Sequence, residues 1–228
     1  MSTSLVAADR PLAASIASWI LRALGWRFHS TYGPDLRRDG HADFPSKFVV
    51  FGEPHTHLVD ILMMLLFFRV YRLPRVTFPV RQAYFVPVLG GLLRRMGAIP
   101  VDTRAANGLV GQMVERMRAS EGMILHIAPS GTRRRTERWR SGFYHIAREA
   151  QVPVFMAYLD ASTKTFGYAP PLELSGDVVA DMDVIRAFYA DKRGFVPANE
   201  SRILLKEEAS AGADQPGQGG LDQGVVVQ

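Results

Sequence analysis

The stretch that decides the fold runs from residue 48 to residue 68 and reads FVVFGEPHTHLVDILMMLLFF. It opens on a short apolar run typical of a buried β-strand and closes on a longer apolar run typical of a helix. A turn between a strand end and a helix start can hold polar side chains in place where a substrate still reaches them. The polar residues of this stretch therefore predict a functional site at the end of the strand.

His55 and Asp60 are the candidate catalytic residues of this turn. If the turn folds back at the helix start, the Asp60 carboxylate holds one imidazole nitrogen and leaves the other free. Histidine titrates near neutral pH, and a carboxylate fixes its tautomer and stabilises its cation, so the pair predicts a general base. The chain has no cysteine and no Gly-x-Ser-x-Gly motif, so we expect the base to activate a substrate hydroxyl. A His/Asp pair at this spacing also occurs without function, and the later motifs weigh against that alternative.

Composition bounds the class of protein. The chain has 228 residues, of which 47% are hydrophobic, and this suits one domain with a sizeable core. The absence of cysteine excludes disulfides and thiolate metal sites. A net charge of +5, carried mostly by arginine, predicts an anionic partner: nucleic acid, an anionic membrane surface or a phosphorylated substrate. A genome biased toward arginine codons explains the excess equally well.

The N-terminal segment predicts an amphipathic helix that begins near Leu12. Its apolar residues recur on one face at helical spacing: Leu12, Ile16, Trp19, Ile20 and Leu24. Such a helix either lies in a membrane interface, with its arginines on lipid phosphates, or packs on the domain. The sequence has neither a secretory signal pattern nor a run of about 20 apolar residues, so we expect no transmembrane span.

The rest of the chain alternates strand and helix patterns. The predicted strands are 47–52, 76–80, 98–101, 123–128 and 152–159, and the predicted helices are 58–71, 88–96, 105–119, 141–150 and 180–190. This alternation predicts an α/β fold with a mixed, largely parallel sheet flanked by helices. We divide the chain into an interfacial helix (1–29), a catalytic domain (30–205) and a disordered tail (206–228), because Gly, Gln, Ala and Asp dominate the end of the chain.

Four blocks follow one another in the order of a known family: residues 55–60, 97–104, 128–133 and 152–154. Their content and spacing resemble the glycerophospholipid acyltransferase family, typified by 1-acylglycerol-3-phosphate acyltransferases. The likeness covers roughly residues 15–200. It is greatest to the short bacterial-type members, which also carry a segment like residues 138–147.

The resemblance implies a reaction and the residues that perform it. A fatty acyl group passes from an acyl-CoA or acyl-carrier-protein thioester to the hydroxyl of a lysophospholipid such as 1-acylglycerol-3-phosphate, which gives phosphatidic acid. His55 matches the catalytic histidine of the family and Asp60 its aspartate, with no metal or cofactor, and His57 is a supporting residue. A metal site at these three residues is the alternative, although such sites usually need more ligands.

The second and third blocks, with one upstream arginine, are expected to bind substrate. The guanidinium fork pairs well with phosphate oxygens, and glycine lets the backbone approach an anion. The predicted substrate-binding residues are Arg81, Arg104, Ser130, Gly131, Thr132 and Arg133.

Ser130 is the main departure from the family pattern, which has glutamate at this position. The change leaves His55 and Asp60 intact but bears on efficiency and on the acceptor. Two alternatives to the leading function follow: a catalytically weakened lipid-binding protein of the same fold, or an acyltransferase for a different acceptor lipid.

Partners and location follow from the same reading. We expect a peripheral protein on the cytoplasmic face of an anionic membrane, with an acyl-carrier protein as one candidate donor. Nucleic acid is not an expected partner, because only the positive charge favours it and no recognition motif accompanies that charge. The apolar residues 61–68 either line a tunnel for the acyl chain or belong to the ordinary core.

Overall fold

The computed structural model of the chain describes residues 11–29, 45–70, 76–102 and 108–211. Within these ranges the helices are α1 (Pro11–Ala23), α2 (Val59–Val70), α3 (Leu89–Arg95), α4 (Gly108–Ala119), α5 (Gly142–Ala150), α6 (Val178–Tyr189) and α7 (Lys206–Ala211). Two short 3-10 turns cover Gln82–Tyr84 and Pro197–Asn199.

The strands form one seven-stranded sheet. They are β1 (Arg27–Phe28), β2 (Lys47–Glu53), β3 (Val76–Arg81), β4 (Ala98–Val101), β5 (Met123–Ile127), β6 (Val154–Asp160) and β7 (Thr165–Tyr168). Their order is β1-β7-β6-β2-β5-β3-β4, and every neighbouring pair is parallel except the antiparallel pair β6–β7. The prediction of an α/β fold with a mixed, largely parallel sheet is confirmed.

The central position of β2 explains its unbroken apolar run. It pairs with β5 on one side and β6 on the other, and helices cover both faces of the sheet. Val49 and Phe51 point into the core under α4, α5 and α6, while Phe48 and Val50 point into the core under α1 and α2. A strand buried on both faces reads as continuous hydrophobicity rather than alternation.

The predicted elements are present, and their ends agree within two residues wherever the structure describes them. The short strands β1 and β7 were not predicted. Residues 206–211, which the sequence placed in the disordered tail, form α7 instead. The Glu208 carboxylate is buried there, accepts the Leu205 N–H at 2.6 Å and pairs with Arg186 at 2.6 Å. Residues 212–228 lie outside the described ranges.

Helix α1 packs against α2, although not through its apolar stripe. The small and apolar side chains of Ala14, Ala17 and Leu21 are buried, whereas Leu12 and Trp19 are exposed, Trp19 to 70%. The predicted stripe therefore faces outward. Across the described ranges, none of the helices has the length and apolar character needed to cross a membrane.

The parallel strands bring the predicted site blocks to one edge of the sheet. Their carboxyl ends lead into the turn that holds His55, the segment that starts at Ala128, Arg81 and Asp102. Ligands of open α/β sheets bind outside the carboxyl ends of the strands, so this edge is where the site is sought.

Candidate active site

His55 and Asp60 meet as the spacing predicted. The His55 Nδ1 atom lies 3.3 Å from the Asp60 Oδ2 atom, and Asp60 lies in the first turn of α2. The backbone N–H groups of Thr56 and His57 donate to the same carboxylate oxygen at 2.6 and 2.7 Å. Because Nδ1 faces the carboxylate, Nε2 is left for the cavity that the imidazole lines.

The second oxygen of this carboxylate is unusual. Asp60 Oδ1 is buried, and none of the described residues supplies a hydrogen-bond partner to it. A buried acceptor without a partner costs free energy, typically about 1–3 kcal/mol. The carboxylate therefore keeps bonding capacity on the oxygen other than the one that faces the imidazole.

Glu53, which the sequence reading did not single out, links the two central loops of the site. Its Oε2 atom accepts the His55 N–H at 2.7 Å, and its Oε1 atom accepts the Ser130 N–H at 2.9 Å. Burial raises the pKa of the Glu53 carboxyl, although these N–H donors favour its ionised form. The available signal was a lone acidic residue at the end of an apolar strand, directly before Pro54.

The third block forms a tight turn at the end of β5. Gly131 has a φ of +65°, a conformation that glycine adopts at little cost, and its N–H donates to Ala128 O at 2.9 Å. A Cβ atom at Gly131 would lie 2.8 Å from Arg140 Nε. Glycine therefore allows both the turn and the close approach of the Arg140 guanidinium.

Three arginines line one cavity beside His55: Arg81 at the end of β3, Arg133 after the turn, and Arg140. Within the described part of the chain, none of the three guanidinium groups forms an ion pair. Unpaired arginines at a cavity suit an anionic ligand. Arg104 lies outside the described residues, so its predicted role stays a prediction.

Ser130 does not line this cavity. Its side chain is 2% exposed, and its hydroxyl donates to Thr132 O at 3.1 Å. Gly131, Thr132 and Arg133 do line the cavity, so the substrate-binding prediction fits the positions of these three residues. Ser130 instead stabilises the turn, because its buried hydroxyl bonds to a backbone carbonyl of the same turn.

The cavity has a volume of about 760 Å³ and combines the arginines with an apolar wall. It lies between the sheet and α2, whose contributions are Asp60, Ile61, Met64, Leu65, Phe67 and Phe68. Phe67 and Phe68 also pack in the core under α1 and α2. Phe67 and Phe68 therefore belong to the core and also line the cavity, and a tunnel for the acyl chain along residues 61–68 stays a prediction.

A comparison with known families identifies this combination of features. The family model described as Acyltransferase matches residues 43–159, slightly more than half of the chain. This chain belongs to the acyltransferase family. The matched region runs from the segment before β2 almost to the end of β6. It includes the His55 turn and the Gly131 turn, so the resemblance seen in the sequence is confirmed.

The fold of this acyltransferase also matches a solved structure. The structure described as the 1-acyl-sn-glycerophosphate (LPA) acyltransferase PlsC from Thermotoga maritima has a TM-score of 0.50 to this chain and 14% sequence identity. The match covers 81% of each chain. At this identity the likeness concerns the fold. No curated protein matches the chain.

In this acyltransferase His57 serves the turn rather than the cavity. Its Nδ1 atom accepts the Val59 N–H at 3.2 Å at the start of α2, and its ring centroid lies 6.3 Å from that of Phe195. Among the described residues there is no cluster of three or more His, Asp or Glu side chains that could hold a metal ion.

A segment near the C-terminal end of the domain holds the His55 turn of the acyltransferase in place. Val196 N–H donates to Thr56 Oγ1 at 3.1 Å, and Asn199 Nδ2 donates to Thr56 O at 3.3 Å. A Cβ atom at Gly194 would stand 2.5 Å from Thr56 Oγ1. We call residues 194–199 the brace. No local sequence pattern predicts it, because its contacts join residues about 140 positions apart.

Proposed function

We propose that the chain is an O-acyltransferase that moves a fatty acyl group from an acyl-CoA or acyl-carrier-protein thioester to a lysophospholipid hydroxyl. The proposed acceptor is 1-acylglycerol-3-phosphate or a close relative, and the product is then phosphatidic acid. The observation that carries the proposal is the His55–Asp60 pair at a cavity that combines an apolar wall with three arginines, none of which has an ion-pair partner among the described residues.

The geometry supports a direct transfer without a covalent enzyme intermediate. His55 Nε2 takes the proton of the acceptor hydroxyl as its oxygen attacks the thioester carbonyl carbon. The new C–O bond forms, the C–S bond breaks, and the departing thiolate receives the proton from the imidazolium. Asp60 fixes the tautomer through Nδ1 and stabilises the imidazolium cation while it exists. No cofactor takes part in this scheme.

The arginines are suited to the phosphate of the acceptor. Arg81, Arg133 and Arg140 enter the cavity from three different segments, so a phosphate between them would receive charged hydrogen bonds from several directions. We therefore expect the headgroup to be held on the same side of the sheet edge as His55, which brings the acceptor hydroxyl to the base.

The apolar wall is suited to an acyl chain. Met64, Leu65 and Phe68 of α2 line the cavity together with Phe78 and Leu93. Each buried methylene contributes roughly 0.8 kcal/mol, so a chain of ordinary length gains considerable binding energy there. The residues that hold the chain and those that hold the phosphate thus meet at His55.

Association with a membrane surface is part of the proposal. Leu12 and Trp19 of α1 are exposed, as are Leu62 of α2 and Leu92 of α3. Val88, at a φ of +70°, is 92% exposed before α3. Both α2 and α3 line the cavity, so these apolar side chains surround the route by which a lipid enters. We place the protein peripherally on the cytoplasmic face of an anionic membrane.

Lipid mass spectrometry of a host strain that lacks its own lysophosphatidate acyltransferase tests the reaction. Expression of the chain should restore phosphatidic acid, and the His55→Ala variant should not. Lipid binding without transfer by the purified protein would instead favour the catalytically weakened lipid-binding protein. Transfer to other lysolipids alone would move the acceptor to a different headgroup.

Vesicle flotation tests the membrane surface. Trp19→Ser should weaken binding to anionic vesicles, and high salt should weaken it further by screening the arginine contacts. Val184→Ser is the matched control, because Val184 is also exposed but belongs to α6, on the opposite face of the sheet. Equal loss in both variants would contradict the assigned surface.

A further inference from the structure

His126 is a polar side chain in the apolar part of the cavity. It lies on β5, where its Cα atom pairs with Val50, and its neighbour Ile124 faces the core under α1 and α2. The imidazole therefore points to the α2 side of the sheet. Its ring centroid lies 5.5 Å from that of Phe68 in an edge-on arrangement, and the residue lines the cavity.

Small residues beside His126 keep this part of the cavity open. A Cβ atom at Gly52 would lie 3.5 Å from His126 Nε2, so glycine leaves space directly against the ring nitrogen. Ala157 on β6 pairs with Gly52 and adds only one methyl group to this part of the cavity lining. Gly52 precedes His55 by three residues, so the two positions are at most about 11 Å apart along the chain.

The hydrogen-bonding capacity of His126 is unused. Among the described residues, neither ring nitrogen takes part in a hydrogen bond or an ion pair. Burial, with a smaller contribution from His55, lowers the pKa of His126 to about 3. The ring is therefore neutral at physiological pH, with one N–H donor and one nitrogen acceptor.

Two ordinary roles do not fit this side chain. A base with so low a pKa is protonated only in acid, so it is a poor general base near neutral pH. A structural role would bond the ring nitrogens within the fold, whereas the partly exposed His126 ring lines the cavity without a hydrogen bond to the described residues. An unsubstituted acyl chain packed against the ring would leave both nitrogens unpaired, which costs about 1–3 kcal/mol for a buried group.

We propose that His126 recognises an oxygen substituent, such as a hydroxyl, on the part of a fatty chain nearest its carboxyl carbon. This inference rests on the proposed acyl transfer and narrows its substrate class to hydroxylated acyl chains. Both the donor and the lysolipid acceptor carry a fatty chain, and the chemistry that His126 would recognise is the same in each.

Kinetic competition with matched thioesters tests the donor chain. The purified protein receives tetradecanoyl-CoA or its 2-hydroxy, 3-hydroxy, mid-chain hydroxy and terminal hydroxy forms, each with the same unsubstituted lysophosphatidate. We expect one of the forms hydroxylated near the thioester to exceed the unsubstituted donor at least about tenfold in kcat/KM, a ratio worth about 1.4 kcal/mol. The terminal hydroxyl should give no preference.

A second arm tests the acceptor chain. Tetradecanoyl-CoA is the donor, and the acceptors are lysophosphatidates with or without a hydroxyl on the fatty chain. Preference in the first arm assigns His126 to the donor, and preference in this arm assigns it to the acceptor.

Variants show whether the preference depends on the imidazole. His126→Leu should abolish it by removing both nitrogens, and His126→Asn should retain part of it, since the amide keeps a donor and an acceptor. His145→Leu is the matched control: His145 lies on α5, pairs with Glu207 at 3.1 Å and does not line the cavity, so the preference should persist.

The outcomes separate this inference from the function on which it rests. Equal use of plain and hydroxylated chains by the wild-type protein overturns the inference, as does a preference that survives His126→Leu. The wild-type comparison decides even if His126→Leu fails to fold. Absence of transfer from every donor to every acceptor would overturn the proposed acyl transfer itself.

Discussion

Two buried aspartates, each in the first turn of a helix, differ in how many of their carboxylate oxygens accept hydrogen bonds. Asp181 at the start of α6 and Asp60 at the start of α2 are both 4% exposed. Asp181 uses both oxygens. Oδ1 accepts the N–H and hydroxyl of Ser175 at 3.0 and 2.9 Å, and Oδ2 accepts the Tyr144 hydroxyl at 2.8 Å and the Gly176 N–H at 3.2 Å. Asp60 concentrates its partners on Oδ2.

We propose that this difference separates a carboxylate that stabilises the fold from one that takes part in catalysis. Four neutral donors close the hydrogen bonding of Asp181 and tie α5, α6 and the loop before α6 together. Asp60 instead receives two backbone N–H groups and faces a titratable ring, with its other oxygen unpartnered among the described residues. Residual bonding capacity beside a histidine therefore distinguishes the proposed catalytic carboxylate, Asp60, from Asp181, whereas burial does not.

The largest expected effect is on the base itself. His55→Ala should lower kcat by about two orders of magnitude or more, the usual contribution of a general base. His57→Ala removes only a ring that accepts one N–H at the start of α2, so its effect should be much smaller. The measurement is steady-state acyl transfer, and equally mild effects of both substitutions would contradict the assignment of the base.

The next effect compares the two aspartates directly. Asp60→Asn should lower kcat about tenfold to a hundredfold, because a neutral amide no longer stabilises the imidazolium. Asp181→Asn should leave kcat per folded molecule nearly unchanged but lower the free energy of unfolding by about 1–3 kcal/mol, since the amide NH₂ faces existing donors. Steady-state kinetics and urea unfolding of both variants are the measurements. A loss of kcat in Asp181→Asn, with a loss of stability alone in Asp60→Asn, would contradict the distinction between the two aspartates.

A smaller effect concerns acid. Burial alone would raise the pKa of Asp181, but the donors from Ser175 and Tyr144 outweigh it and the pKa is lowered. The stabilisation by ionised Asp181 is therefore complete above the unfolded pKa near 3.8 and is lost as the pH falls through the lower folded value. The stability gap between wild type and Asp181→Asn should shrink from pH 6 to pH 3 in urea titrations. A constant gap would show that ionisation plays no part.

The smallest effect concerns Ser130. From the sequence alone, Ser130→Glu restores the family pattern and should preserve or improve activity if the acceptor is lysophosphatidate, whereas the added charge should depress activity on an acceptor with a different headgroup. The structure reverses the first expectation, because the Glu53 carboxylate already accepts the Ser130 N–H in a buried position. A second carboxylate there would meet a like charge, and we expect kcat/KM to fall severalfold on every acceptor.

A double-mutant cycle with Glu53→Ser sharpens this expectation. If the two carboxylates compete for one place, Ser130→Glu should be better tolerated in the Glu53→Ser background than alone. Additive losses would mean that the positions act independently, and that Glu53 does not occupy the place of the family glutamate.

The part of the site that sequence could predict is the part with local spacing. Four residues separate His55 from Asp60, and the Gly131 turn follows strand β5 closely, so a single short segment determines the geometry of each. The register of β2 against β5 places Glu53 at Ser130, and no local pattern contains that register. Arg140 was missed for a similar reason, since it reaches the cavity by packing over Gly131.

The fold shows the same division. Apolar segments predicted five of the strands, namely β2, β3, β4, β5 and β6. The strand β1 has only two residues, and β7 (Thr165–Tyr168) has no apolar run because Gly167 interrupts it. The N-terminal helix was predicted, but the face that it buries carries Ala14, Ala17 and Leu21 and packs with α2, instead of the apolar stripe. Hydrophobicity alone pointed to the face that the structure leaves exposed.

The brace of residues 194–199 makes the His55 turn depend on a segment that is synthesised much later than the turn itself. His55, the proposed base, lies in the first third of the chain, yet Val196 and Asn199 hold the neighbouring Thr56 of its turn in place. During synthesis from the N-terminus, the strand and helix on either side of His55 emerge long before the brace does. The catalytic turn is therefore finished only when the domain is nearly complete, and a nascent or truncated chain that ends before Val196 carries every proposed catalytic residue without the support that positions them.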